Sequence, residues 1–422
     1  ARLATVAGHL VDVSALPYDE DLLSYIRGER AAGRRVELIS ASDQNLAQRV
    51  ADHHGCFDAA VGSDGSRNLK GLVKADFLAD RYPGGFVYAG DSRADLKVWD
   101  LAGGAVLVGQ GLAFEHELAT PIEARFGAAP DLRHLLPKAM RVHQWAKNGL
   151  IFLPLLLING LGNLTLVAET VLGFVVFSLV ASATYILNDL LDLAADRSHP
   201  SKRNRPIASG RLPMPIAVLV AGGLFGVGLV GATLLGGFFV MCLASYVALT
   251  LIYSLGIKAV SVVDVITLGG LFTLRLLAGH VLIAGSLPAW LLVFSMFFFT
   301  SLALVKRLTE VQGLGDRGVV SIPGRGYHAG DAGFILTFGL TAGIASVLIF
   351  MIYLVAEPLH AERLSDPYWL WVVPAVLGVW LPRVWLLAAR GEMHDDPVVF
   401  AVRDKTSLCL GSIALLAVLV AG

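Results

Sequence analysis

Cysteine is scarce in this 422-residue sequence: Cys56, Cys242 and Cys409 lie far apart, two of them in apolar runs. Such spacing excludes a disulfide framework and a cysteine-based zinc site, and it suits a reduced compartment. An excess of one charge is also missing, with 33 Lys and Arg against 34 Asp and Glu. With neither a basic face nor a groove-reading helix pattern, the sequence argues against a nucleic-acid partner. Charged residues make up only 16% of the chain, and its mean hydropathy is +0.66. These averages cover two unlike parts. Residues 1–135 carry charge at ordinary globular density, whereas residues 136–422 are mostly long apolar runs joined by short polar loops. The chain starts at Ala1, not Met, without a signal peptide, so the expectation is that upstream residues have been trimmed.

In the first part, Leu22, Leu23, Tyr25 and Ile26 recur at helical spacing before Gly33. Val36-Glu37-Leu38-Ile39-Ser40 reads as a strand, residues 43–54 as a helix, and 86–89 and 105–108 as further buried strands. Strands alternating with helices predict an α/β domain with a parallel sheet, whose working residues sit past the carboxyl ends of strands. Ser40 closes the first strand, Lys70 lies in Asn68-Leu69-Lys70-Gly71, and Asp91 and Asp95 follow the strand ending at Ala89. A plainer reading has both aspartates capping a turn.

In the second part, runs of about 20 apolar residues predict membrane helices near 146–160, 165–188, 213–233, 237–256, 259–283, 288–306, 332–356, 367–390 and 399–421, nine crossings in all. Arg197, Lys202, Arg203, Arg205 and Arg211 share one loop, Lys306, Arg307, Arg317 and Arg325 a second, and Arg390, Arg403 and Lys405 a third. By the positive-inside rule these loops and the N-terminal domain face the cytoplasm, and the C-terminus faces out. Lys138, Arg141, His143, Trp145 and Lys147 crowd the edge of the first run, as an interface favours, and Asn148 follows them.

The residues richest in chemistry stand where the second run meets water: Asn188, Asp189, Asp192 and Asp196, then Arg197, Lys202, Arg203 and Arg205. If the helix continues, Asn188, Asp192 and Asp196 are successive turns on one face. Oxygen ligands without nearby His or Cys suit Mg2+, and the basic run suits phosphate; ordinary solvated charge is the bland alternative. On the fifth predicted helix, Lys258, Asp264 and Arg275 step along one stripe, and intramembrane charge must face a polar interior or a partner. A direct Asp264–Arg275 pair is disfavoured because eleven residues of helix separate them by roughly 16 Å. Lys306, Arg307 and Glu310 follow the sixth helix, and Met393-His394-Asp395-Asp396-Pro397, after the eighth, reads as a helix start.

In order, Ser40, Lys70 and the Asp91/Asp95 pair resemble motifs two, three and four of the haloacid-dehalogenase (HAD) phosphatase superfamily. That resemblance implies that Ser40 and Lys70 hold a phosphoryl group and that Asp91 and Asp95 hold Mg2+. The family's nucleophile, the first Asp of an Asp-x-Asp pair, does not precede Ser40, and Asp12-Val13-Ser14 is the nearest approach. Either it lies upstream of Ala1 or the domain is inactive, which leaves the activity open.

Asn188-Asp-x-x-Asp192-x-x-x-Asp196, followed by Arg197-x-His-Pro-x-Lys202 and Arg205-Pro206, resembles the first aspartate-rich motif of the UbiA prenyltransferase superfamily. The resemblance covers 138–422 and implies a nine-helix bundle holding a Mg2+-bound diphosphate near the cytoplasmic face. A second Asp-x-x-x-Asp is missing, replaced by Lys306-Arg307-x-x-Glu310. Together with Gln144-Trp145-x-Lys147-Asn148, Tyr253-Ser254-x-x-x-Lys258 and Arg325-Gly326-Tyr327, this resembles the decaprenyl-phosphate phosphoribosyltransferase branch, whose substrates are phosphoribosyl pyrophosphate and a polyprenyl phosphate. The implied metal ligands are Asn188, Asp189, Asp192 and Asp196. Asp192, Asp196, Lys258, Lys306, Arg307 and Glu310 would be catalytic, and Lys147, Asn148, Arg197, Lys202, Arg203, Arg205, Tyr253, Asp264, Arg275 and Tyr327 would bind substrate. The fused domain could remove the product's 5-phosphate. The first motif alone also suits an aromatic-acceptor prenyltransferase, and intramembrane charge alone a transporter, though no broken-helix repeat stands out.

Overall fold

The structure, a computed structural model, describes residues 11–64, 66–127, 131–199, 201–283, 289–315, 321–322, 324–356, 366–393 and 397–421. The chain forms two compact units: residues up to Ala139 together with Asp189–Ala217, and Met140–Asn188 together with Val218–Gly422.

In the first unit, α1 (Glu20–Ala31) begins where the Asp19 carboxylate accepts from the Leu22 N–H at 3.0 Å. After β1 (Glu37–Asp43), Asp43 caps α2 (Gln44–His54), and Gly55 ends that helix in the left-handed conformation. Then come β2 (Ala59–Ser63), α3 (Leu72–Arg81), β3 (Val87–Gly90), α4 (Leu96–Trp99), β4 (Gly104–Val108), β5 (Ile122–Phe126) and α5 (Leu132–Ala139). Every pairing is parallel, as the alternation predicts, but the strands divide into a β1–β2 sheet and a β3–β4–β5 sheet. Strands β2 and β5 were not anticipated. Ile39 of β1 and Tyr88 of β3 both pack on Ala75, Leu78 and Val98, so α3 and α4 cover side chains from both sheets. In the segment Asp189–Ala217, Asp192 precedes α8 (Leu193–Ser198).

The second unit opens with a 3-10 stretch (Val142–Phe152) and the short helix α6 (Leu153–Leu157) in place of the expected first crossing. Side-chain bonds hold that stretch: Trp145 Nε1 donates to Ser182 Oγ at 3.0 Å and Asn148 Nδ2 to Ser178 Oγ at 2.9 Å. Both serines lie on α7 (Leu164–Leu191). There follow α9 (Met214–Leu235), α10 (Gly237–Leu255), α11 (Val263–His280), α12 (Ala289–Gly315), α13 (Ala332–Ala356) and α14 (Val372–Ala389). The expected ninth crossing divides at Asp404 into α15 (Pro397–Arg403) and α16 (Lys405–Ala421). Among the described residues, seven helices are long and apolar enough to cross a membrane, and α16 is a shorter apolar helix.

Large apolar side chains such as Leu219, Leu234, Phe238 and Val355 point outward, which suits a bundle solvated by lipid. Small polar residues let the helices approach inside: Trp385 Nε1 donates to Ser301 Oγ at 3.0 Å, and Ser301 Oγ donates to the Gly339 carbonyl at 2.7 Å. Gly279 packs directly on the backbone of Ile151, where a β-carbon would not fit.

Candidate active-site residues

The acidic run occupies the end of α7 and the turn into α8. In the first unit, Arg205 Nη1 donates to Asp189 Oδ1 at 3.1 Å and to Asp196 Oδ2 at 2.5 Å. Both carboxylates are buried, so one guanidinium nitrogen gathers two acids that would otherwise repel. Asp192 is half-buried at the break between α7 and α8, so the helix does not run straight through the motif as the spacing had assumed. Asn188, on α7, has a buried Oδ1 with no hydrogen-bond partner. Among the described residues no group of three or more His, Cys, Asp or Glu side chains gathers as a metal cage. The donors nevertheless fit a hard divalent ion in kind: carboxylate oxygens held around a cationic atom, and an amide oxygen left without a bond. Arg197 Nε is turned to the Ala208 carbonyl at 3.3 Å, while the Lys202 and Arg203 side chains are exposed.

In the second unit, Asp264 is fully buried near the start of α11. It accepts from Arg307 Nε at 2.8 Å and from the Tyr327 hydroxyl at 2.7 Å. Arg307, only 1% exposed, spends its other nitrogens on Glu310 at 2.6 Å and the Tyr253 hydroxyl at 3.5 Å. Burial, and then the bond to Asp264, raises the pKa of Tyr327 and keeps its hydroxyl a donor. Lys258 lies in a separate turn, Ile257–Ala259, and Val262 has φ +70, so α11 starts at Val263 and the predicted stripe loses its first member.

Arg275 makes a second buried cluster in that unit. It donates from Nε to Asn148 Oδ1 at 2.8 Å, from Nη1 to the Leu271 carbonyl at 2.6 Å and from Nη2 to the Tyr246 hydroxyl at 3.3 Å. Phe177, Tyr246 and Phe272 surround its guanidinium at 4.8–5.5 Å. Asn148, with Ser178 on its amide nitrogen, is therefore satisfied on both sides and staples the 3-10 stretch to the bundle. Lys147 stacks over Phe272 at 5.9 Å, and Lys306 is half-buried. Asp264 and Arg275 thus have separate partners, as their separation required.

At the carboxyl end of β3, the lysine beside the aspartates is Lys74, which sequence reasoning passed over, and Lys70 is exposed. Lys74 Nζ donates to the Tyr88 hydroxyl at 2.8 Å and lies 3.5 Å from Asp95 Oδ1; the Tyr88 hydroxyl donates to the same oxygen at 2.9 Å. Burial works to raise the pKa of Asp95, but bonds from Ser92 and the Lys74 charge outweigh it and hold it below the ordinary value. Burial, and then the Asp95 charge, pushes Asp91 up. Ser40 Oγ accepts from the Ser42 N–H at 3.1 Å, a local turn bond. The signal for Lys74 was available: it shares a helical face with Ala75 and Leu78, both buried. His394, Asp395 and Asp396 lie outside the described residues.

Residues 150–403 match the UbiA prenyltransferase family, a stretch that includes both the acidic run and the Asp264–Arg307 network. The chain belongs to the UbiA family. It is similar to the uncharacterized protein y4nM of Sinorhizobium fredii, 44% identical over 407 residues, 96% of this chain and 79% of that protein. It is also similar to the decaprenyl-phosphate phosphoribosyltransferase of Mycobacterium tuberculosis, 36% identical over 178 residues, 41% of this chain and 59% of that enzyme. Its fold resembles a UbiA homolog from Archaeoglobus fulgidus bound to DMAPP and Mg2+, with a TM-score of 0.52 at 14% identity over 68% of this chain and 97% of that one. The protein is thus a multi-span membrane transferase of the UbiA prenyltransferase type, with an N-terminal α/β unit.

Proposed function

We propose that the protein transfers a 5-phosphoribosyl group from phosphoribosyl pyrophosphate to a polyprenyl phosphate, with release of pyrophosphate. The observation that carries this reading is the neutralised second motif. Where a second acidic metal site would be expected, Arg307 is paired with Asp264 and Glu310, which leaves one acidic run for one metal-bound diphosphate. The partial likeness to a decaprenyl-phosphate phosphoribosyltransferase supports the same donor.

In this reading Asn188, Asp189, Asp192 and Asp196 would hold Mg2+, which when bound would supply Lewis-acid neutralisation of the departing pyrophosphate. Arg205, already on Asp189 and Asp196, balances the same charge, and the exposed Lys202 and Arg203 offer donors to phosphate oxygens. A lipid phosphate oxygen forms the new bond to ribose C1 while the bond from C1 to pyrophosphate breaks, its electron pair leaving with pyrophosphate. The nucleophile is already an anion, so no general base is needed, and positioning with charge neutralisation supplies the acceleration.

The basic loops support an inner-membrane location with the N-terminal unit in the cytoplasm and the C-terminus outside. For the N-terminal unit, where among the described residues no Asp-x-Asp nucleophile follows a strand before Ser40, the reading extends to hydrolysis of the product's 5-phosphate by water, with Lys74, Asp91 and Asp95 as the residues beside the carboxyl end of β3. Purified protein in Mg2+ should release pyrophosphate one for one with label entering the lipid phase, only when both substrates are present. Pyrophosphate release independent of polyprenyl phosphate contradicts the transfer. Absence of inorganic phosphate release from the lipid product contradicts the phosphatase role alone.

A further inference from the structure

We propose that Arg325, with the Tyr253 hydroxyl beside it, binds a phosphoryl group of a substrate. The proposal rests on the phosphoribosyl-transfer reading only for which phosphorylated substrate is held.

Arg325 is placed by a short hairpin and not left on a loose loop. The Ile322 N–H donates to the Tyr327 carbonyl at 3.0 Å, the Arg325 N–H to the Ile322 carbonyl at 3.1 Å, and Ser321 bridges His328. Gly324, at φ +74, makes the turn. Three bonds pin the hairpin to the residues before and at the start of α11. Ser261 Oγ donates to the Gly326 carbonyl at 2.6 Å, the Tyr327 hydroxyl donates to Asp264, and the Val262 N–H donates to that same hydroxyl at 2.8 Å. A β-carbon on Gly326 would stand 2.5 Å from Ser261 Oγ, so only glycine seats the hairpin here. Val262, at φ +70, is rare backbone for a β-branched residue, and that strain falls where the hairpin docks.

The two arginines of this network have different duties. Arg307 is buried and its nitrogens are bonded on three sides. Arg325 keeps 26% of its side chain exposed. Among the described residues, its guanidinium makes one hydrogen bond, to the Tyr253 hydroxyl at 3.2 Å, out of five available N–H donors. Asp264 and Glu310 lie 3.7 and 3.6 Å from it, close enough to fix its charge but too far to use its donors, and both already accept from Arg307. An open guanidinium fork on an anchored backbone suits a two-pronged oxyanion such as a phosphoryl group.

Tyr253 completes the pair. Its hydroxyl oxygen accepts from Arg325 Nη1 and, at 3.5 Å, from Arg307 Nη2, so its own proton is directed elsewhere and can be donated to a phosphoryl oxygen. Asp264, Glu310, Arg307 and Arg325 sum to zero charge, so donor geometry and not excess charge selects the ligand. Lysine at 325, a point charge without the fork, should therefore fail to substitute.

The test is calorimetric titration of the full chain in detergent with three probes: phosphoribosyl pyrophosphate, farnesyl phosphate and geranyl diphosphate. Arg325→Gln should weaken at least one probe by about tenfold or more, Arg325→Lys should show most of that loss, and Tyr253→Phe should weaken the same probe several-fold. The affected probe tells a soluble sugar phosphate from a lipid phosphate. Loss confined to geranyl diphosphate keeps Arg325 as a phosphate ligand and removes the phosphoribosyl reading. Wild-type affinity of Arg325→Gln for all three probes overturns the proposal, as does a wild-type chain that binds none. If Arg325→Gln does not fold, unchanged binding by Arg325→Lys and Tyr253→Phe overturns it equally.

Discussion

Replacing Arg307 by methionine separates a structural guanidinium from a substrate-facing one. Arg307 is 1% exposed and Asp264 is fully buried, so truncation leaves a carboxylate in the bundle whose remaining partners are the Tyr327 hydroxyl and, at 3.7 Å, Arg325. Breaking one side of a buried pair costs about 3–5 kcal/mol. The second pair adds little, since Glu310 is 29% exposed and such pairs contribute roughly 0–1 kcal/mol. Converted at about 2–4 °C per kcal/mol, the melting midpoint in detergent should fall by on the order of 10 °C. Adding Asp264→Asn to Arg307→Met removes the stranded charge, and the double variant should regain about 2–3 kcal/mol relative to the sum of the single losses. Thermal unfolding of the wild type, both single variants and the double variant closes this cycle. An Arg307→Met protein that melts with the wild type yet has lost turnover would refute the reasoning, because the guanidinium would then be bonding substrate and not the bundle.

Arg275→Met should cost about 2–4 kcal/mol by stranding the buried Asn148 oxygen and the Leu271 carbonyl, read as a lower melting midpoint and faster proteolysis near residue 148. Asp91 tests the N-terminal unit by pH. Its folded pKa is raised, chiefly by burial, so its ionisation costs stability as pH climbs from the unfolded value through the folded one. Asp91→Asn should therefore stabilise that unit near about pH 7 and change nothing near about pH 3, where both states are protonated, as followed by Trp99 fluorescence during denaturant unfolding. Asp192→Asn should lower Mg2+-dependent turnover by about a hundredfold or more with unchanged helical circular dichroism, and wild-type turnover would remove the metal assignment.

Hydropathy and charge are written locally, so the apolar runs that became α7, α9, α10 and α13 were legible from sequence, as was the parallel α/β character of the first part. What escaped depends on contacts distant in sequence. Residues 146–160 read as a crossing by apolarity alone, but Asn148 is held by Ser178 and Arg275, 30 and 127 positions away, and the backbone there takes a 3-10 path. Residues 259–283 read as one helix, yet Ser261 and Val262 bond to Gly326 and Tyr327, and that docking breaks the helix before Val263. Lys70 reads as the lysine of its motif from order along the chain alone, whereas the helical register, which order does not carry, turns Lys74 inward on α3. The cations of the second motif are visible in the sequence, whereas their partners are not: Arg307 reads as a catalytic cation, and its bond to Asp264, 43 positions earlier, shows only in the fold.

The most direct test of phosphoribosyl transfer offers the purified protein all four compounds at once in Mg2+: phosphoribosyl pyrophosphate, a polyprenyl phosphate, a polyprenyl diphosphate and 4-hydroxybenzoate. Mass spectrometry of the extracted lipid should find polyprenyl phosphate heavier by a phosphoribosyl group, or by ribosyl where the N-terminal unit has removed the 5-phosphate. A prenylated benzoate with no ribosylated lipid would contradict the account.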